Sequence, residues 1–276
     1  RSTRALSSAE SDVYKRQAML ISCVASCDSG SDAVSYGVGT LSLGLSANPS
    51  FSTKTRSVNE AEYKKADNYQ VTVKDADGAS LYNGLYKDMP LSIDLTAGKG
   101  YTVKAFYGEN VNAGFDKLYV EGSQEFTVSE GEQKNVILYC KPANVKVSVV
   151  YTEDFLKYYS DCTVSLSTSH LTAPFEVNMK KDSGKDAYLK ANADGEKVSI
   201  TVGGFRDKEG NEVVMEALVA EKKVAPKTHL TITVDPEVIT ISTGTASLDV
   251  TVDTGTEDKD VNIEIPEEYW PGNASK

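Results

Sequence analysis

Short segments of alternating apolar and polar residues fill most of the chain from residue 36 onward. Alternation with a period of two places one face of a strand in a core and the other in solvent. Glycine, asparagine and aspartate separate the segments, as turns between neighbouring strands require. The pattern therefore predicts an all-β fold. The clearest segments are residues 41–45, 69–73, 101–106, 126–128, 136–139 and 145–149.

Two short helices are predicted between the strands. Ser57 and Glu60 form a capping box, in which each side chain satisfies an amide at the helix start, so this helix should run to Ala66. Thr152, followed by two acidic residues, predicts a second helix that reaches Tyr159. Further along, the apolar residues of 212–223 form no single helical stripe, and we predict a strand there.

A weak internal repeat organises this part of the chain. Three strand segments recur in the same order, and each set ends in a strand followed by proline. Each set contains enough strands for one β-sandwich, so we predict two tandem sandwiches, residues 36–142 and 143–236. Residues 237–276 should add a C-terminal β-hairpin and a tail. The repeated segments are 69–73, 100–105 and 133–142, with their counterparts 162–166, 196–202 and 227–236.

Residues 18–27 have the form of a truncated bacterial lipoprotein signal. This apolar stub ends in Val24-Ala25-Ser26-Cys27, and small residues before a cysteine suit the processing enzyme that exposes the lipid attachment point. Polar residues begin directly after Cys27, whereas Cys23, which also fits roughly, still lies inside the apolar stretch. We therefore expect the lipid on Cys27 and a tether over residues 28–35. No other segment reaches the roughly 18 apolar residues of a spanning helix.

The first seventeen residues do not belong to such a signal. A complete signal needs a positively charged start and a longer apolar core, and Met19 leaves room for neither. Residues 8–17 resemble translated sequencing-adapter read-through. We expect residues 1–17 to be non-native.

The net charge of the chain argues against one class of function, and its cysteines leave one structural question open. The chain carries 29 basic and 40 acidic residues, a net charge of −11, which repels phosphate backbones and argues against nucleic-acid binding. Cys140 and Cys162 form one disulfide in an oxidising compartment or stay as two buried thiols. The sequence leaves both alternatives open.

Residues with a recognisable catalytic spacing are not found in the sequence. His170 and His229 are the only histidines, and neither has the neighbours of a zinc site. Phosphate-binding loops, nucleophile elbows and Cys-x-x-Cys pairs are also missing from the sequence. We expect no enzymatic activity, no metal and no cofactor.

Three sequence patterns are compatible with ligand binding as well as with a purely structural role. Residues 75–78 and 257–260 offer carboxylates to calcium, although a hairpin turn is favoured for the first. Trp270 is expected to fasten the C-terminus to a domain. Several tyrosines offer stacking surfaces for sugars, although packing in or beside the core is favoured. These are Tyr107, Tyr119, Tyr158 and Tyr159.

Several motifs follow one another along the chain: the lipoprotein cysteine and residues 39–43, 53–57, 66–69, 100–108, 119–122, 126–128, 140–142 and 263–266. Taken in this order, they resemble an uncharacterised Bacteroides-type lipoprotein family that is remotely similar to the fimbrillins.

The fimbrillin resemblance implies two transthyretin-like sandwiches and assembly through donated strands. In those proteins an arginine-specific protease removes the first strand, and a strand of the next subunit fills the groove, which is a form of β-augmentation. Arg56 follows the candidate first strand and is the corresponding candidate processing site, although a solvated loop residue is the plainer interpretation.

These observations predict a non-enzymatic protein held at the outer membrane by a lipid and exposed at the cell surface. Its predicted role is structural or adhesive and fimbrillin-like. The partners would be the membrane, through the lipid, and other surface or pilus subunits or glycans. The alternative is a glycan-binding surface lipoprotein that captures polysaccharide.

Overall fold

The computed structural model describes residues 37–51, 60–214, 217–235, 238–245 and 261–264, the last two ranges by their backbone alone. The described residues are mostly β-strand, which confirms the all-β prediction. They all belong to one compact unit. No helix in these ranges is long and apolar enough to cross a membrane.

The described part of the chain contains seventeen strands and two α-helices. Up to residue 142 they are β1 (Val38–Ala47), α1 (Glu60–Tyr63), β2 (Gln70–Asp75), β3 (Ser80–Leu85), β4 (Ile93–Thr96), β5 (Gly100–Gly108), β6 (Ala113–Phe115), β7 (Tyr119–Thr127) and β8 (Gln133–Pro142). After it they are β9 (Asn144–Tyr151), α2 (Glu153–Tyr158), β10 (Tyr159–Ser167), β11 (Phe175–Asn178), β12 (Ala187–Lys190), β13 (Glu196–Asp207), β14 (Leu218–Val224), β15 (Thr228–Val234), β16 (Val238–Thr245) and β17 (Val261–Glu264).

Both predicted helices are present, but α1 ends at Tyr63, short of the predicted Ala66. Helix α1 is a single turn, followed by a 3₁₀ turn at Ala66–Asn68; Ser57 of the capping box lies outside the described residues. At α2 the hydroxyl oxygen of Thr152 accepts a hydrogen bond from the Phe155 amide at 3.1 Å, as an N-cap should. This helix ends at Tyr158, where the chain turns directly into β10.

The strand predicted over residues 212–223 begins only at Leu218 and extends to Val224. The prediction was wrong for residues 212–214, where Glu212 forms only an isolated bridge to Arg206 beyond a tight turn. The Asp207 carboxylate accepts a hydrogen bond from the Asn211 amide at 2.7 Å, and Gly210 has a positive φ of 87°. Continuous pairing with β13 begins at Leu218, which lies opposite Val202.

The strands up to residue 142 form one seven-stranded sheet that folds over a common core. Their order is β3-β2-β5-β7-β8-β1-β4. Strands β7 and β8 pair at only two positions, where Val120 lies opposite Pro142 and Glu121 lies opposite Lys141. Beyond this narrow junction the sheet continues as two arms, whose apolar side chains meet in one cluster. From β2, β5 and β7 come Val71, Val73, Val103, Ala105, Val120 and Phe126, and from β1, β4 and β8 come Leu41, Leu95, Val136, Leu138 and Cys140.

The strands after residue 142 form a second sandwich. A four-stranded sheet in the order β11-β10-β13-β14 packs against a six-stranded sheet in the order β17-β16-β15-β9-β12-β6. The core again consists of the inward-facing residues of both sheets. The four-stranded sheet contributes Val164, Leu166, Val177, Val198, Ile200, Val202 and Ala220, and the six-stranded sheet Val145, Val147, Ala187, Leu189, Leu230, Ile232 and Val234.

The repeat seen in the sequence is also a repeat of strand pairing. Strand β1 runs parallel to β8 and antiparallel to β4, and β9 runs parallel to β15 and antiparallel to β12. In the opposite layers, the pairs β2–β3, β2–β5 and β5–β7 correspond to β10–β11, β10–β13 and β13–β14. The repeated segments therefore occupy equivalent strands. Where one domain ends and the next begins, near residue 143, stays a prediction.

Strand β6 joins the two sandwiches. It precedes residue 142 in the chain, yet it forms an edge of the six-stranded sheet, with Phe115 opposite Ala187 and Ala113 opposite Leu189. The Lys190 amide extends this pairing by donating to the carbonyl of Asn112 at 2.9 Å. Three residues are too few for a periodic pattern, so the sequence did not predict this exchange.

The predicted C-terminal hairpin is present in β16 and β17, where Val238 lies opposite Glu264 and Ile241 opposite Val261. Strand β16 also pairs along the whole of β15, so the hairpin extends the six-stranded sheet. Its acidic turn and Trp270 lie outside the described residues.

The two cysteines of the sandwiches are free and buried. Cys140 belongs to the first core and Cys162 to the second. Burial raises the pKa of each thiol to about 12. The sequence left open whether Cys140 and Cys162 form a disulfide or stay as two buried thiols. In the structure they are two buried thiols.

Candidate functional site

A cavity of about 440 Å³ lies at the end of the first sandwich where β5 ends and β2 begins. Aromatic rings form part of its wall, and carboxylate, carboxamide and ammonium groups form the rest. We call it the tyrosine cavity. It is lined by Tyr63, Asn68, Gln70, Leu85, Phe106, Tyr107, Gly108, Glu109, Asp116, Lys117 and Leu118.

The two tyrosines of the cavity hold each other in place. The ring centroids of Tyr63 and Tyr107 are 4.8 Å apart at 61°, an edge-to-face contact of the kind aromatic pairs prefer. Tyr63 donates its hydroxyl hydrogen to the carbonyl of Leu118 at 3.1 Å. The Tyr69 hydroxyl donates to the carbonyl of Tyr63 at 2.7 Å and so ties α1 to the sheet. Burial raises the pKa of Tyr63, so its hydroxyl remains a donor at neutral pH.

Gly108 allows the cavity wall to close tightly. Its φ is +98°, and a Cβ atom there would lie 2.2 Å from the carbonyl oxygen of Leu118. Only glycine combines this backbone conformation with so close an approach. The end of β5 and the start of β7 are therefore held together beside the two tyrosines.

The polar part of the wall offers both donors and acceptors. Lys117 Nζ lies 2.6 Å from Glu109 Oε1, while Asp116 presents an exposed carboxylate from a left-handed backbone position with φ of 56°. The Asn68 amide is oriented by its hydrogen bond to the carbonyl of Glu62 at 3.0 Å. Gln70 is held by Asn83 at 2.8 Å. Aromatic surface with a few fixed polar groups is typical of sites for small polar ligands.

The four tyrosines singled out in the sequence lie in different surroundings. Tyr107 lines the cavity. Tyr119 and Tyr159 are 6% and 2% exposed, and Tyr159 stacks on Phe155 with centroids 4.7 Å apart, so for these two the packing interpretation holds. Tyr158 is exposed on α2.

A second group of polar residues is buried in the six-stranded sheet. Lys146 and Ser148 lie on β9, His229 on β15, and Asp186 directly before β12, and all are at most 9% exposed. Lys146 Nζ is 2.9 Å from Asp186 Oδ2. Ser148 donates to Asp186 Oδ1, and its Oγ is 2.8 Å from His229 Nε2. We call these four residues the buried polar cluster.

His229 is neutral in this environment. Burial and the nearby positive charge of Lys146 lower the pKa of His229 to about 4, against the opposing effect of Asp186. The cluster contains the residue types of a hydrolytic triad in a different order, because Ser148 lies between the histidine and the carboxylate. A nucleophilic triad needs the histidine in the middle.

Metal binding finds no support among the described residues. They contain no group of three or more histidine, cysteine, aspartate or glutamate side chains that could hold an ion. Asp75 is part of a hairpin turn, where its Oδ1 accepts hydrogen bonds from the amides of Asp77 and Ala79 at 3.1 and 2.8 Å. The second calcium candidate, residues 257–260, lies outside the described residues.

Cys27 and Arg56, the two site residues named from the sequence, also lie outside the described residues. Lipidation at Cys27 and cleavage after Arg56 therefore stay predictions. The structure places only the neighbouring strand β1, which ends at Ala47.

A family model for a domain of unknown function, DUF4493, matches residues 37–267. The chain belongs to the DUF4493 family. The matched residues include both sandwiches, the tyrosine cavity and the buried polar cluster, so these are parts of the DUF4493 region.

Two of the solved structures to which the chain is similar come from Bacteroides. A candidate cell adhesion protein from Bacteroides eggerthii is 12% identical, with 83% of this DUF4493 chain and 96% of that chain covered and a TM-score of 0.37. A candidate polysaccharide-binding protein from Bacteroides thetaiotaomicron is 9% identical, with 74% and 95% covered and a TM-score of 0.37. No curated protein matches the sequence.

Proposed function

We propose that this protein is a non-enzymatic adhesin of the cell envelope that binds carbohydrate in the tyrosine cavity. The observation that carries the proposal is the cavity itself, in which half-buried tyrosine rings lie beside carboxylates and carboxamides. A sugar ring has an apolar face and a rim of hydroxyl groups. Aromatic side chains suit the face, and carboxylates and amides accept from or donate to the hydroxyls.

The charges of the cavity favour a neutral sugar. Lys117 is already paired with Glu109, which leaves the Asp116 carboxylate as an exposed negative charge at the cavity edge. An anionic ligand would meet this charge without an equally placed positive partner. We therefore expect neutral polysaccharide to be the ligand class.

Anchoring at the outer membrane, facing outward, completes the proposal. Its support is the sequence Val24-Ala25-Ser26-Cys27, after which a polar tether leads into β1. Two or three acyl chains on one cysteine bury enough methylenes for stable attachment. Replacing Cys27 by alanine should abolish fatty-acid labelling and release the protein from membranes. Labelling that persists would move the assignment to Cys23.

Binding is tested on the full chain carrying Cys27→Ala, by affinity electrophoresis in neutral polysaccharides and titration calorimetry with their oligosaccharides. Tyr107→Ala and Asp116→Asn should each weaken binding at least tenfold. Asparagine tolerates the left-handed backbone of position 116, so that variant should fold normally. The matched control is Tyr158→Ala, which removes an exposed tyrosine outside the cavity. Equal binding by all variants would contradict the proposal.

The second candidate function is fimbrillin-like assembly with other surface or pilus subunits, and the position of β1 favours it. This strand lies between β8 and β4 and pairs with β8 from Thr40 to Ala47. Leu41 is fully buried in the core. Cleavage after Arg56 would leave β1 attached by non-covalent contacts alone, and its loss would open a groove for a donated strand.

The test of assembly uses the small number of arginines. After residue 17 the chain has only Arg56 and Arg206. An arginine-specific protease should convert the chain to denaturant-resistant ladders, and Arg56→Gln should prevent this while Arg206→Gln should not. A product that stays monomeric after cleavage at Arg56 would exclude strand exchange and leave the carbohydrate proposal intact.

A further inference from the structure

Lys146 and Asp186 form an ion pair that is almost completely removed from solvent. Their side chains are 2% and 8% exposed, and Lys146 Nζ lies 2.9 Å from Asp186 Oδ2. Burying an ammonium and a carboxylate is costly even when they are paired. The pair is also held rigidly, because β9 and β12 are hydrogen-bonded neighbours with Val147 opposite Ala187.

A hydrogen-bond chain and an aromatic ring flank the ion pair. Ser148 donates its hydroxyl hydrogen to Asp186 Oδ1, so the imidazole of His229 donates Nε2–H to Ser148 Oγ across 2.8 Å. On the other side, the ring of Phe51 lies 5.9 Å from Lys146 Nζ. One carboxylate oxygen thus faces a hydrogen-bond chain, and the other faces the amine.

We propose that Lys146 and Asp186 condense to an intramolecular isopeptide bond, a modification that goes beyond the carbohydrate-binding function. One proton first passes from the lysine ammonium to Oδ2, which leaves a neutral amine beside a carboxylic acid. Nζ then forms a bond to Cγ of Asp186, and the bond from Cγ to Oδ2 breaks. The departing oxygen takes a second proton from the nitrogen and leaves as water. Carbon and nitrogen keep their oxidation states, so no oxidant or co-reactant is needed.

Each neighbour has a defined part in this step. As Nζ attacks, negative charge develops on Oδ1, where the Ser148 hydroxyl stabilises it in a site that excludes water. His229 is a positioning residue, since its Nε2 lies 2.8 Å from Ser148 Oγ and orients that hydroxyl. Near-contact of amine and carboxylate supplies the proximity that such a reaction requires.

The product suits the site better than the ion pair does. The amide is neutral, so condensation removes the cost of burying two charges, and its carbonyl keeps the hydrogen bond from Ser148. The bond would close a covalent loop from residue 146 to residue 186 that contains β10 and β11. An adhesin under tension would gain a sheet that cannot unravel along this loop.

Intact-mass spectrometry of the unfolded full chain, purified with Cys27→Ala, tests the proposal. We expect a mass about 18 Da below the sequence mass, the loss of one water, and a branched peptide that joins residues 146 and 186. Lys146→Met and Asp186→Ala should both restore the sequence mass. Lys197→Arg, which alters an exposed pair 2.8 Å apart, should keep the deficit.

The decisive result comes from the wild-type residues and does not depend on whether a variant folds. A chain that keeps its full sequence mass overturns the proposal. So does a deficit that maps elsewhere, for example to a succinimide at Asp77-Gly78. Carbohydrate binding is measured separately, so either proposal can fail without the other.

Discussion

The ring of Phe51 meets the ring of Tyr188 edge to face, with centroids 6.1 Å apart. Phe51 follows β1 of the first sandwich, whereas Tyr188 lies on β12 in the six-stranded sheet of the second. Tyr188 is 2% exposed and belongs to the first core. The two sandwiches therefore share buried apolar surface in addition to the exchanged strand β6.

We predict that Phe51→Ala destabilises the whole chain by about 3 kcal/mol, as expected when a buried phenylalanine is truncated. Phe51 is 7% exposed, and its loss leaves a gap against Tyr188 and Lys146. Urea unfolding, monitored by far-UV circular dichroism, measures the change in the free energy of unfolding. Leu91→Ala is the control, because Leu91 is 95% exposed and should cost less than about 0.5 kcal/mol. Equal effects of the two substitutions would contradict a shared core.

The strands could be predicted from the sequence because alternation reports directly on which face is buried. The segments that recur in the chain, such as residues 69–73 and 162–166, occupy equivalent strands β2 and β10 for the same reason. The turn at Asp75 was predictable as well, since its side chain satisfies amides two and four residues on.

The candidate sites could not be predicted because they depend on contacts between distant segments. Gln70 and Phe106 share the cavity through the pairing of β2 with β5, and Tyr63 joins them from a one-turn helix with little periodic signal. Lys146 and Ser148 occupy polar positions of β9, which alternation assigns to solvent. They are buried because the first sandwich covers that face: Phe51 lies over Lys146, and Tyr188, opposite Lys146 on β12, packs into the first core.

We predict that the buried polar cluster makes stability depend on pH. While Lys146 and Asp186 remain an ion pair, the pKa of His229 is about 4 in the folded chain, and it is about 6.5 when the chain is unfolded. The unfolded state therefore binds more protons between these values, and stability falls as the pH is lowered from 6.5 to 4. The loss attributable to His229 is about 3 kcal/mol. The groups facing it are Lys146, Asp186 and Ser148.

Urea unfolding at several pH values compares the wild type with His229→Gln, which does not titrate. The variant should be less stable at neutral pH and should lose less stability between pH 6.5 and 4. His170→Gln is the control, since that histidine lies beside Glu196 at 3.5 Å in another part of the sandwich. Identical pH profiles for wild type and His229→Gln would show that the cluster does not titrate as predicted.

A third prediction concerns Thr152, which makes two hydrogen bonds at once. Its oxygen accepts from the Phe155 amide, and its hydroxyl donates to Asp235 Oδ2 at 2.8 Å. Thr152→Ala should lower the free energy of unfolding by about 1 kcal/mol, as the loss of an N-cap does. Thr152→Ser keeps both bonds and should restore most of the stability in the same urea titration. A serine variant as unstable as the alanine variant would assign the effect to the lost methyl group.

The fourth prediction uses two glycines with similar backbones and different surroundings. Gly78 and Gly108 have φ values of +85° and +98°, but a Cβ at Gly78 would meet nothing within 4 Å, whereas at Gly108 it would lie 2.2 Å from a carbonyl oxygen of Leu118. Gly78→Ala should cost about 1 kcal/mol through backbone strain alone. Gly108→Ala carries the same strain plus a steric clash and should cost about 1–3 kcal/mol more.

Thermal or urea unfolding measures how much stability Gly78→Ala and Gly108→Ala each lose. Sugar binding is a second measurement on the same two variants. Because the clash forces the end of β5 away from β7, Gly108→Ala should also weaken any ligand of the tyrosine cavity, while Gly78→Ala should leave binding unchanged. If both alanine variants lost the same stability and bound equally well, the close contact between Gly108 and Leu118 would not be what shapes the cavity wall.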